Sequence, residues 1–398
     1  MKSYKIVTLG CRTNQAESQA YADQLKKLGY REGEDPDLCI VNTCTVTASA
    51  DKRSMYQIRN LRRSHPGAKI AVTGCLTEQK AAQFPEADYV IPNLEKENLL
   101  SYLFPDQELP EFKIERFEAH TRAFVKVQDG CNSYCSYCII PFVRGRSRSR
   151  PVAAILDEIR GLVANGYKEV VLTGINIGDF EPSLADLIRE VDQIEGLQRI
   201  RVSSIDADEV DADLTDAILN CKKTCPSMHI VLQSGSNFIL KRMRRKYTRQ
   251  EFIDTCKRLK AAHPNFTFTT DVIVGFPGEL DEDFEQTLQL IDEVKFAKVH
   301  MFPYSTRPGT RAARFTDLVP PPVIEKRRQA VLRASEKVGY QLRENFVGRN
   351  MDVLIESDRK GHTTNFLPVI VDQGLRPNTL ARVRLIKNSP EGLIGICE

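Results

Sequence analysis

The chain has 398 residues, of which 41% are hydrophobic and 27% charged, and its formal net charge is +3 at pH 7. These values are typical of a soluble protein with two or three domains, and so small a charge does not by itself predict nucleic-acid binding. No apolar run reaches the ~18 residues that a membrane helix needs, and the first residues predict a strand and not a signal peptide. The eleven cysteines favour metal ligation over disulfides in a chain that we expect to be cytoplasmic.

Residues 1–114 alternate short apolar strands with helical patterns. Such alternation indicates βαβ units, so we predict a parallel, flavodoxin-like sheet for this segment. The predicted strands cover 4–9, 38–41, 69–72 and 89–91, and the predicted helices cover 15–28 and 51–63.

Three cysteines each follow one of these strands directly, namely Cys11, Cys44 and Cys75. They therefore lie at the carboxyl ends of parallel strands, where open α/β sheets bind ligands. Gly10 and Gly74 precede two of them and permit tight turns next to a bound group. Buried free thiols are the alternative, but three equivalent positions favour a shared iron–sulfur cluster.

Residues 115–342 continue the alternation of strands and helices. Six βα units are too few for a closed eight-fold barrel, so we predict an open six-fold (β/α) partial barrel with its chemistry at the carboxyl ends of the strands. The predicted strands cover 123–127, 169–172, 199–202, 228–232, 266–274 and 297–302.

The loop after the first of these strands carries Cys131, Cys135 and Cys138 in a C-x3-C-x2-C array. Three thiolates on one short loop can ligate three irons of a 4Fe–4S cluster and leave the fourth iron open to a small molecule. A structural zinc site is the alternative, but it needs a fourth ligand at a suitable spacing.

This array, with Tyr137 before its last cysteine, resembles the radical S-adenosylmethionine (SAM) enzymes. The resemblance implies that the open iron binds SAM and that reductive cleavage of SAM yields a 5′-deoxyadenosyl radical. It further implies that Thr173, Gly174 and Asn176 contact the methionine moiety of SAM. By the same resemblance, the candidates for its ribose and carboxylate are Ser203, Ser204 and Gln233.

The chain is similar, more narrowly, to the methylthiotransferases of that superfamily. Their motifs are matched by Leu9-Gly10-Cys11, Asn42-Thr43-Cys44 and Gly74-Cys75. The resemblance implies that Cys11, Cys44 and Cys75 hold a second, auxiliary 4Fe–4S cluster, which supplies or carries the inserted sulfur. It also implies an external electron donor such as flavodoxin or ferredoxin.

Two basic runs, 144–150 and 241–247, lie near predicted strand ends. We favour contact with RNA phosphates over a solvated face, although one arginine of such a run can instead pair with the cofactor carboxylate.

The tail, 343–398, has five short alternating stretches and predicts a small β-barrel. It resembles the TRAM domain with which methylthiotransferases hold their substrate, usually RNA. The predicted strands cover 351–356, 363–365, 367–371, 380–385 and 393–397, and the basic residues that fit an RNA-binding role are Arg359, Lys360, Arg376, Arg382, Arg384 and Lys387.

Three branches of the family differ in substrate: N6-threonylcarbamoyladenosine of tRNA, N6-isopentenyladenosine of tRNA, and an aspartate of ribosomal protein uS12. The stretches 42–47, 128–131, 144–150 and 172–176 resemble the first branch. This resemblance implies methylthio transfer to C2 of adenosine 37 in the anticodon loop, a base that must be splayed out of the loop. A non-catalytic iron–sulfur RNA-binding protein is a further alternative, and it predicts a fourth protein ligand near Cys131.

Overall fold

The structure, a computed structural model, describes residues 2–80, 83–117 and 121–398. Its amino-terminal sheet is entirely parallel, with the strand order β2-β1-β3-β4-β5. This is the flavodoxin order, so the predicted topology is confirmed. The strands are β1 Ser3–Thr8, β2 Arg31–Glu32, β3 Leu38–Thr43, β4 Lys69–Gly74 and β5 Tyr89–Val90, and the helices are α1 Arg12–Lys27, α2 Ala48–Ser64, α3 Thr77–Lys80 and α4 Leu99–Leu103.

Helix α1 has two buried faces. Tyr21 and Leu25 belong to the apolar core of the sheet, whereas Ala16 and Ala20 belong to the core of the domain that follows. The small alanine side chains allow close packing on that second side. Helix α1 therefore lies between the amino-terminal sheet and the central barrel.

The central domain is an open partial barrel of six main parallel strands. One sheet has the order β10-β9-β6 and the other β11-β12-β13-β14, and a bridge from Ile200 to Thr224 joins them. Within the described chain the two outermost strands, β6 and β14, do not pair, so the barrel is open as predicted. The strands are β6 Arg122–Lys126, β7 Gln128–Asp129, β8 Arg148–Ser149, β9 Glu169–Thr173, β10 Arg199–Val202, β11 Ile205–Asp206, β12 Ser227–Val231, β13 Thr267–Val274 and β14 Lys298–Pro303.

Amphipathic helices cover the outside of this barrel. In α6, Ile155, Ile159 and Leu162 recur at helical spacing and are fully buried, which stabilises the fold by roughly 1.5–3 kcal/mol for each side chain. The helices are α5 Ile140–Val143, α6 Val152–Ala164, α7 Leu184–Asp192, α8 Ala212–Asn220, α9 Asn237–Arg242, α10 Arg249–Ala262, α11 Asp281–Val294 and α12 Pro321–Glu344. None of the described helices combines the length and the apolarity that crossing a bilayer requires.

A closed barrel of five strands ends the chain, in the order β15-β16-β17-β19-β18. The strand predicted over 363–365 is observed earlier, over Lys360–Thr363. The residues after Thr363 form a turn, because Phe366 adopts a positive φ of 64° and Thr363 N donates to Leu367 O. The strands are β15 Asn350–Ser357, β16 Lys360–Thr363, β17 Pro368–Val371, β18 Leu380–Ser389 and β19 Gly392–Cys397.

This small barrel packs against the amino-terminal ends of the central strands. Arg199 Nη2 donates to Asp352 O at 2.8 Å. The ring of Phe366 lies between Arg122 and Arg201, each 4.9 Å from its centroid. The carboxyl-terminal barrel thus forms the floor of the central barrel.

Candidate active site

The short strands β7 and β8 hold the base of the cysteine loop. They pair antiparallel, Gln128 with Ser149 and Asp129 with Arg148. Between them, Gly130 has a φ of 76°, and a Cβ at this position would lie 2.1 Å from Arg146 O. Glycine is therefore required both by the backbone conformation and by the close approach of the two ends of the loop.

The loop brings Cys131, Cys135 and Cys138 together, since the charge of Cys135 acts on both of the others. Burial raises the pKa of all three thiols, that of Cys138 to about 12. Nearby cations are therefore needed to hold them as thiolates. Arg245 Nη1 donates to Cys135 Sγ at 3.1 Å, and Ser133 N donates to Cys131 Sγ at 3.4 Å.

This donor set fits a 4Fe–4S cluster better than a zinc ion. Structural zinc is almost always held by four ligands, whereas the cysteine loop supplies three thiolates. Thiolates of a cubane cluster each bind a different iron, so they stand further apart than the ligands of one ion. Hydrogen bonds to the sulfurs are also typical of such clusters.

The second set of cysteines lies at the carboxyl edge of the amino-terminal sheet. Cys11 precedes α1, and Cys44 and Cys75 follow β3 and β4. Both Cys11 and Cys75 act electrostatically on Cys44, whose pKa rises to about 12, mainly through burial. A Cβ on Gly10 would lie 3.0 Å from Cys44 Sγ. The structure therefore brings together the three cysteines that the sequence placed at equivalent strand ends.

Arg144 connects the two cysteine sites. Its side chain is fully buried and donates from Nε to Cys75 Sγ at 3.1 Å. Its Nη1 donates to Asp129 Oδ1 at 2.8 Å and to Glu17 Oε1 at 3.3 Å. Asp129 stands just before the cysteine loop and Glu17 lies on α1, so this one guanidinium links both domains and one sulfur.

Glu17 and Asp129 also contact a buried lysine. Lys96 Nζ lies 2.7 Å from Glu17 Oε1 and 2.6 Å from Asp129 Oδ2. Burial by itself raises the pKa of Glu17, but Lys96 and Arg144 outweigh it and lower the pKa to about 2. Both carboxylates are therefore charged, and the network holds α1 rigidly against the cysteine loop.

The predicted methionine contacts lie at the end of β9. Gln128 Oε1 accepts hydrogen bonds from Ile175 N and Asn176 N, each at 3.0 Å, and a Cβ on Gly174 would lie 2.7 Å from this oxygen. Asn176 Nδ2 donates to Glu209 Oε1 at 2.7 Å. Thr173, the last residue of β9, is buried. Gln128 and Glu209 therefore fix the conformation of this turn, and sequence reasoning missed both.

Two other predicted contacts have unsatisfied polar atoms. Among the described residues, Ser203 Oγ and Gln233 Oε1 are buried without a hydrogen-bond partner. Ser204, next to Ser203, is half-buried. Unpaired polar atoms at strand ends fit a polar cofactor, because a buried polar group without a partner costs about 1–3 kcal/mol.

Tyr137 and Gln233 line a cavity of about 300 Å³ together with Cys138 and Asp271. Its opposite wall includes Val46 and Thr47 from the amino-terminal domain, just after Cys44, and the remaining wall is formed by Ile139, Ile140, Ile273, Phe302, Pro303, Tyr304 and Ser305. The cavity is therefore bounded by Cys138 on one side and by the amino-terminal segment that follows Cys44 on another.

The basic runs differ from the predicted RNA-facing surfaces. Arg144 is buried, and Arg150 pairs with Glu158 at 2.9 Å. Arg245 pairs with Asp206 and donates to Cys135. The predicted contact with RNA is therefore wrong for these three arginines. Their side chains are held instead by acidic residues or by cysteine sulfur of the protein itself. The residues of the two runs that do remain exposed are Arg146, Arg148, Lys241, Arg244 and Lys246.

Comparison with known proteins agrees with this arrangement. Residues 125–291 match the radical SAM superfamily, and residues 3–92 match the uncharacterized protein family UPF0004. A solved structure, the radical SAM methyltransferase TsrM from Kitasatospora setae with cobalamin and a [4Fe-4S] cluster bound, has a TM-score of 0.58 at 13% identity. The match covers 78% of this chain and 77% of that chain, and it supports the fold.

Curated relatives match the chain almost end to end. The threonylcarbamoyladenosine tRNA methylthiotransferase MtaB of Chlamydia pneumoniae is 50% identical over 99% of this chain and 97% of its own length. MtaB of Bacillus subtilis is 36% identical over 93% and 90%. The tRNA-2-methylthio-N(6)-dimethylallyladenosine synthase of Pelotomaculum thermopropionicum is 35% identical over 90% and 88%. With its two cysteine sites and its open partial barrel, the chain belongs to the radical SAM methylthiotransferase family.

Proposed function

We propose that this enzyme transfers a methylthio group to C2 of N6-threonylcarbamoyladenosine at position 37 of tRNA. The observation that carries the proposal is that one cavity is lined both by Cys138 and by the segment just after Cys44. In addition, Arg144 links Cys75 to Asp129 at the base of the cysteine loop. A second cysteine site next to the radical site fits a reaction that inserts sulfur. The substrate follows from the 50% identity with a relative named for threonylcarbamoyladenosine, against 35% for one named for dimethylallyladenosine.

The residues Cys131, Cys135 and Cys138 would hold the 4Fe–4S cluster that binds SAM. When bound, these groups supply the one-electron chemistry that an unactivated adenine C2–H bond requires, since no acid or base side chain can remove that hydrogen. Arg245 and Ser133 hold the sulfurs through hydrogen bonds. We assign contacts with SAM to Tyr137, Thr173, Gly174, Asn176, Ser203, Ser204 and Gln233.

Cys11, Cys44 and Cys75 would hold the auxiliary 4Fe–4S cluster. The burial of Cys44 and Cys75 raises the pKa of both thiols, so a cationic group is needed beside them to favour the thiolates. Arg144 donates to Cys75 and so keeps this sulfur oriented.

We divide the chain into an amino-terminal domain (1–114), a radical SAM core (115–342) and a TRAM-like barrel (343–398), and place the enzyme in the cytoplasm with flavodoxin or ferredoxin as electron donor. All six basic residues predicted to contact RNA on the small barrel are exposed. They suit contact with the tRNA backbone, which Lys and Arg recognise through its phosphates.

The test is nucleoside mass spectrometry of tRNA from a host with and without the gene. Wild type should restore 2-methylthio-N6-threonylcarbamoyladenosine, Cys135→Ala should not, and Cys256→Ala, a buried thiol remote from the site, should. Persistence of this nucleoside in the deletion host would disprove the proposed substrate. Loss of the isopentenyl derivative, or a changed mass of uS12, would then identify one of the other two branches. Restoration by Cys135→Ala would favour the non-catalytic alternative.

A further inference from the structure

A side chain from the amino-terminal domain enters the central barrel. Arg12, the residue after Cys11, lines a small cavity in the barrel interior together with Arg201, His229, Thr269 and other strand residues. Its Cζ lies 5.6 Å from the ring centroid of Phe124 on β6. The cavity measures about 30 Å³, which is room for a group about the size of a carboxylate or of one to two water molecules.

The other arginines of this cavity are neutralised. Arg201 Nε lies 2.6 Å from Glu169 Oε1. Arg122 Nε lies 3.1 Å from Glu356 Oε1. These pairs belong to the floor where the small barrel packs, and they leave neither arginine free for a ligand.

Arg12 has no such partner. Across residues 2–80, 83–117 and 121–398, it forms no ion pair and no side-chain hydrogen bond. Arg12 lines the cavity but is exposed to solvent, so its guanidinium is accessible to a ligand. A guanidinium in these surroundings is stabilised by an added anion.

The strand β13 connects this small cavity with the larger one beside Cys138. Thr269 lines the small cavity and Asp271, two residues on and on the same face, lines the large one. His229 contacts both of these residues. Its Nδ1 lies 3.0 Å from Thr269 Oγ1 and its Nε2 lies 3.4 Å from Asp271 Oδ1. The cavity that Arg12 lines therefore lies one layer below the large cavity on the same face of β13, with His229 and Asp271 between them.

We propose that Arg12 binds the carboxylate of the threonyl group of the substrate nucleoside and so determines the choice of substrate. This inference rests on the proposed function. The threonylcarbamoyl group ends in a carboxylate, whereas a dimethylallyl group carries no charge, so one unpaired guanidinium in the pocket favours the former and disfavours the latter. The proposed SAM contacts at the strand ends lie a layer above, which leaves Arg12 to the nucleoside.

The test measures the binding of anticodon stem-loop RNAs to the reconstituted enzyme. The RNAs carry at position 37 either N6-threonylcarbamoyladenosine or its neutral methyl ester, which has nearly the same shape. We expect wild type to bind the acid about tenfold or more tightly than the ester, the factor that a charge-assisted hydrogen bond gives. Arg12→Gln should bring this ratio close to one, and Arg12→Lys should keep part of it. Arg31→Gln, an exposed arginine on β2, should keep all of it.

Each variant is judged by the ratio of its affinities for the acid and the ester. A general loss of folded protein or of cluster weakens both affinities alike and leaves this ratio unchanged. The role of Arg12 would be disproved if the wild-type ratio were near one, if Arg12→Gln had the same ratio as wild type, or if the substitution weakened binding of both RNAs equally. Methylthiolation of the acid-bearing RNA by wild type would still support the proposed function in each of these cases. If wild type neither modifies that RNA nor prefers it to unmodified adenosine, the proposed function is wrong, and this inference fails with it.

Discussion

Buried arginines act on cysteine sulfur at both sites. Arg144 donates to Cys75 and Arg245 donates to Cys135, each at 3.1 Å. Each guanidinium is also fixed by carboxylates, Glu17 and Asp129 for the first and Asp206 for the second. A sulfur that accepts a charged hydrogen bond is stabilised as a thiolate. The arginines therefore favour the thiolate at both sites, as the proposed clusters require, while the acidic residues compensate their charge.

Replacing Arg144 should impair the amino-terminal site. Arg144→Gln removes the donor to Cys75 and leaves Glu17 and Asp129 short of one cation, a change that costs about 3–5 kcal/mol in comparable buried pairs. We expect a lower melting temperature and a lower iron content per chain after reconstitution. Arg146→Gln, on an exposed neighbour, should change neither. Full iron content in Arg144→Gln would show that the hydrogen bond to Cys75 is dispensable for cluster retention.

Glu209 should make stability depend on pH. Burial, with a smaller contribution from Asp206, raises its pKa from 4.5 to about 7. The folded state therefore favours the neutral acid, and this stabilisation is complete below about pH 4.5 and lost as the pH rises through 7. Glu209→Gln keeps a neutral acceptor for Asn176, so it should match wild type at pH 5 and exceed it at pH 8 by about 2–3 kcal/mol. Melting temperatures measured across this range provide the test, and parallel curves for the two proteins would contradict it.

At the scale of elements, the cysteine loop depends on how closely its two ends approach. Strands β7 and β8 have two residues each, so their pairing alone provides little free energy. The loop is held as well by Cys131 N, which donates to Gly145 O at 3.2 Å, and by Gln128 Nε2, which donates to Ser147 Oγ at 2.8 Å. Its geometry therefore depends on backbone contacts that any side chain at Gly130 would disrupt.

A matched pair of glycine substitutions separates this clash from backbone strain. Gly130 and Gly166 both have a positive φ, 76° and 93° respectively. A Cβ added at Gly130 would lie 2.1 Å from a backbone oxygen, whereas a Cβ added at Gly166 would have no atom within 4 Å. Gly166→Ala should cost only the strain, about 1–3 kcal/mol, and keep its iron. Gly130→Ala should lose the iron held by the cysteine loop. Iron analysis and the visible absorption of the cluster measure both, and equal iron in the two variants would contradict this account.

Prediction from sequence was accurate where structure is local. The strand predicted over 266–274 is observed as Thr267–Val274, because an apolar run bounded by turn residues defines its own ends. The two-residue strands β2, β7, β8 and β11 were missed, since so short a stretch carries no periodicity. The roles of Arg144 and Arg245 were also missed, because their partners Glu17 and Asp206 lie 127 and 39 residues away. Only the fold brings those charges together.

At the scale of the whole molecule, the cavity beside Cys138 lies at the interface between the amino-terminal domain and the central barrel. Besides Arg144, a second buried arginine crosses this interface, with Arg307 Nη2 2.5 Å from Asp51 Oδ2. Nearby, Ala48 N donates to Ser305 Oγ at 3.0 Å. Val46 and Ser305 both line the cavity, so the contacts that join the domains also set its width. Catalytic geometry and interdomain stability are therefore linked.

A double-mutant cycle on Arg307 and Asp51 tests this link. Each single change, Arg307→Gln or Asp51→Asn, leaves one buried charge without its partner and should destabilise the domain junction by about 3–5 kcal/mol. The double variant has no such charge, so its loss of stability should be clearly smaller than the sum of the two single losses.

Hydrogen exchange over residues 45–51 provides a local measure and should speed up most in the single variants. Arg189→Gln, which breaks an exposed pair with Asp213, should leave that exchange unchanged. If the loss of stability in the double variant equals the sum of the two single losses, Arg307 and Asp51 stabilise the junction independently. The width of the cavity would then depend on apolar packing and on the contact between Ala48 and Ser305.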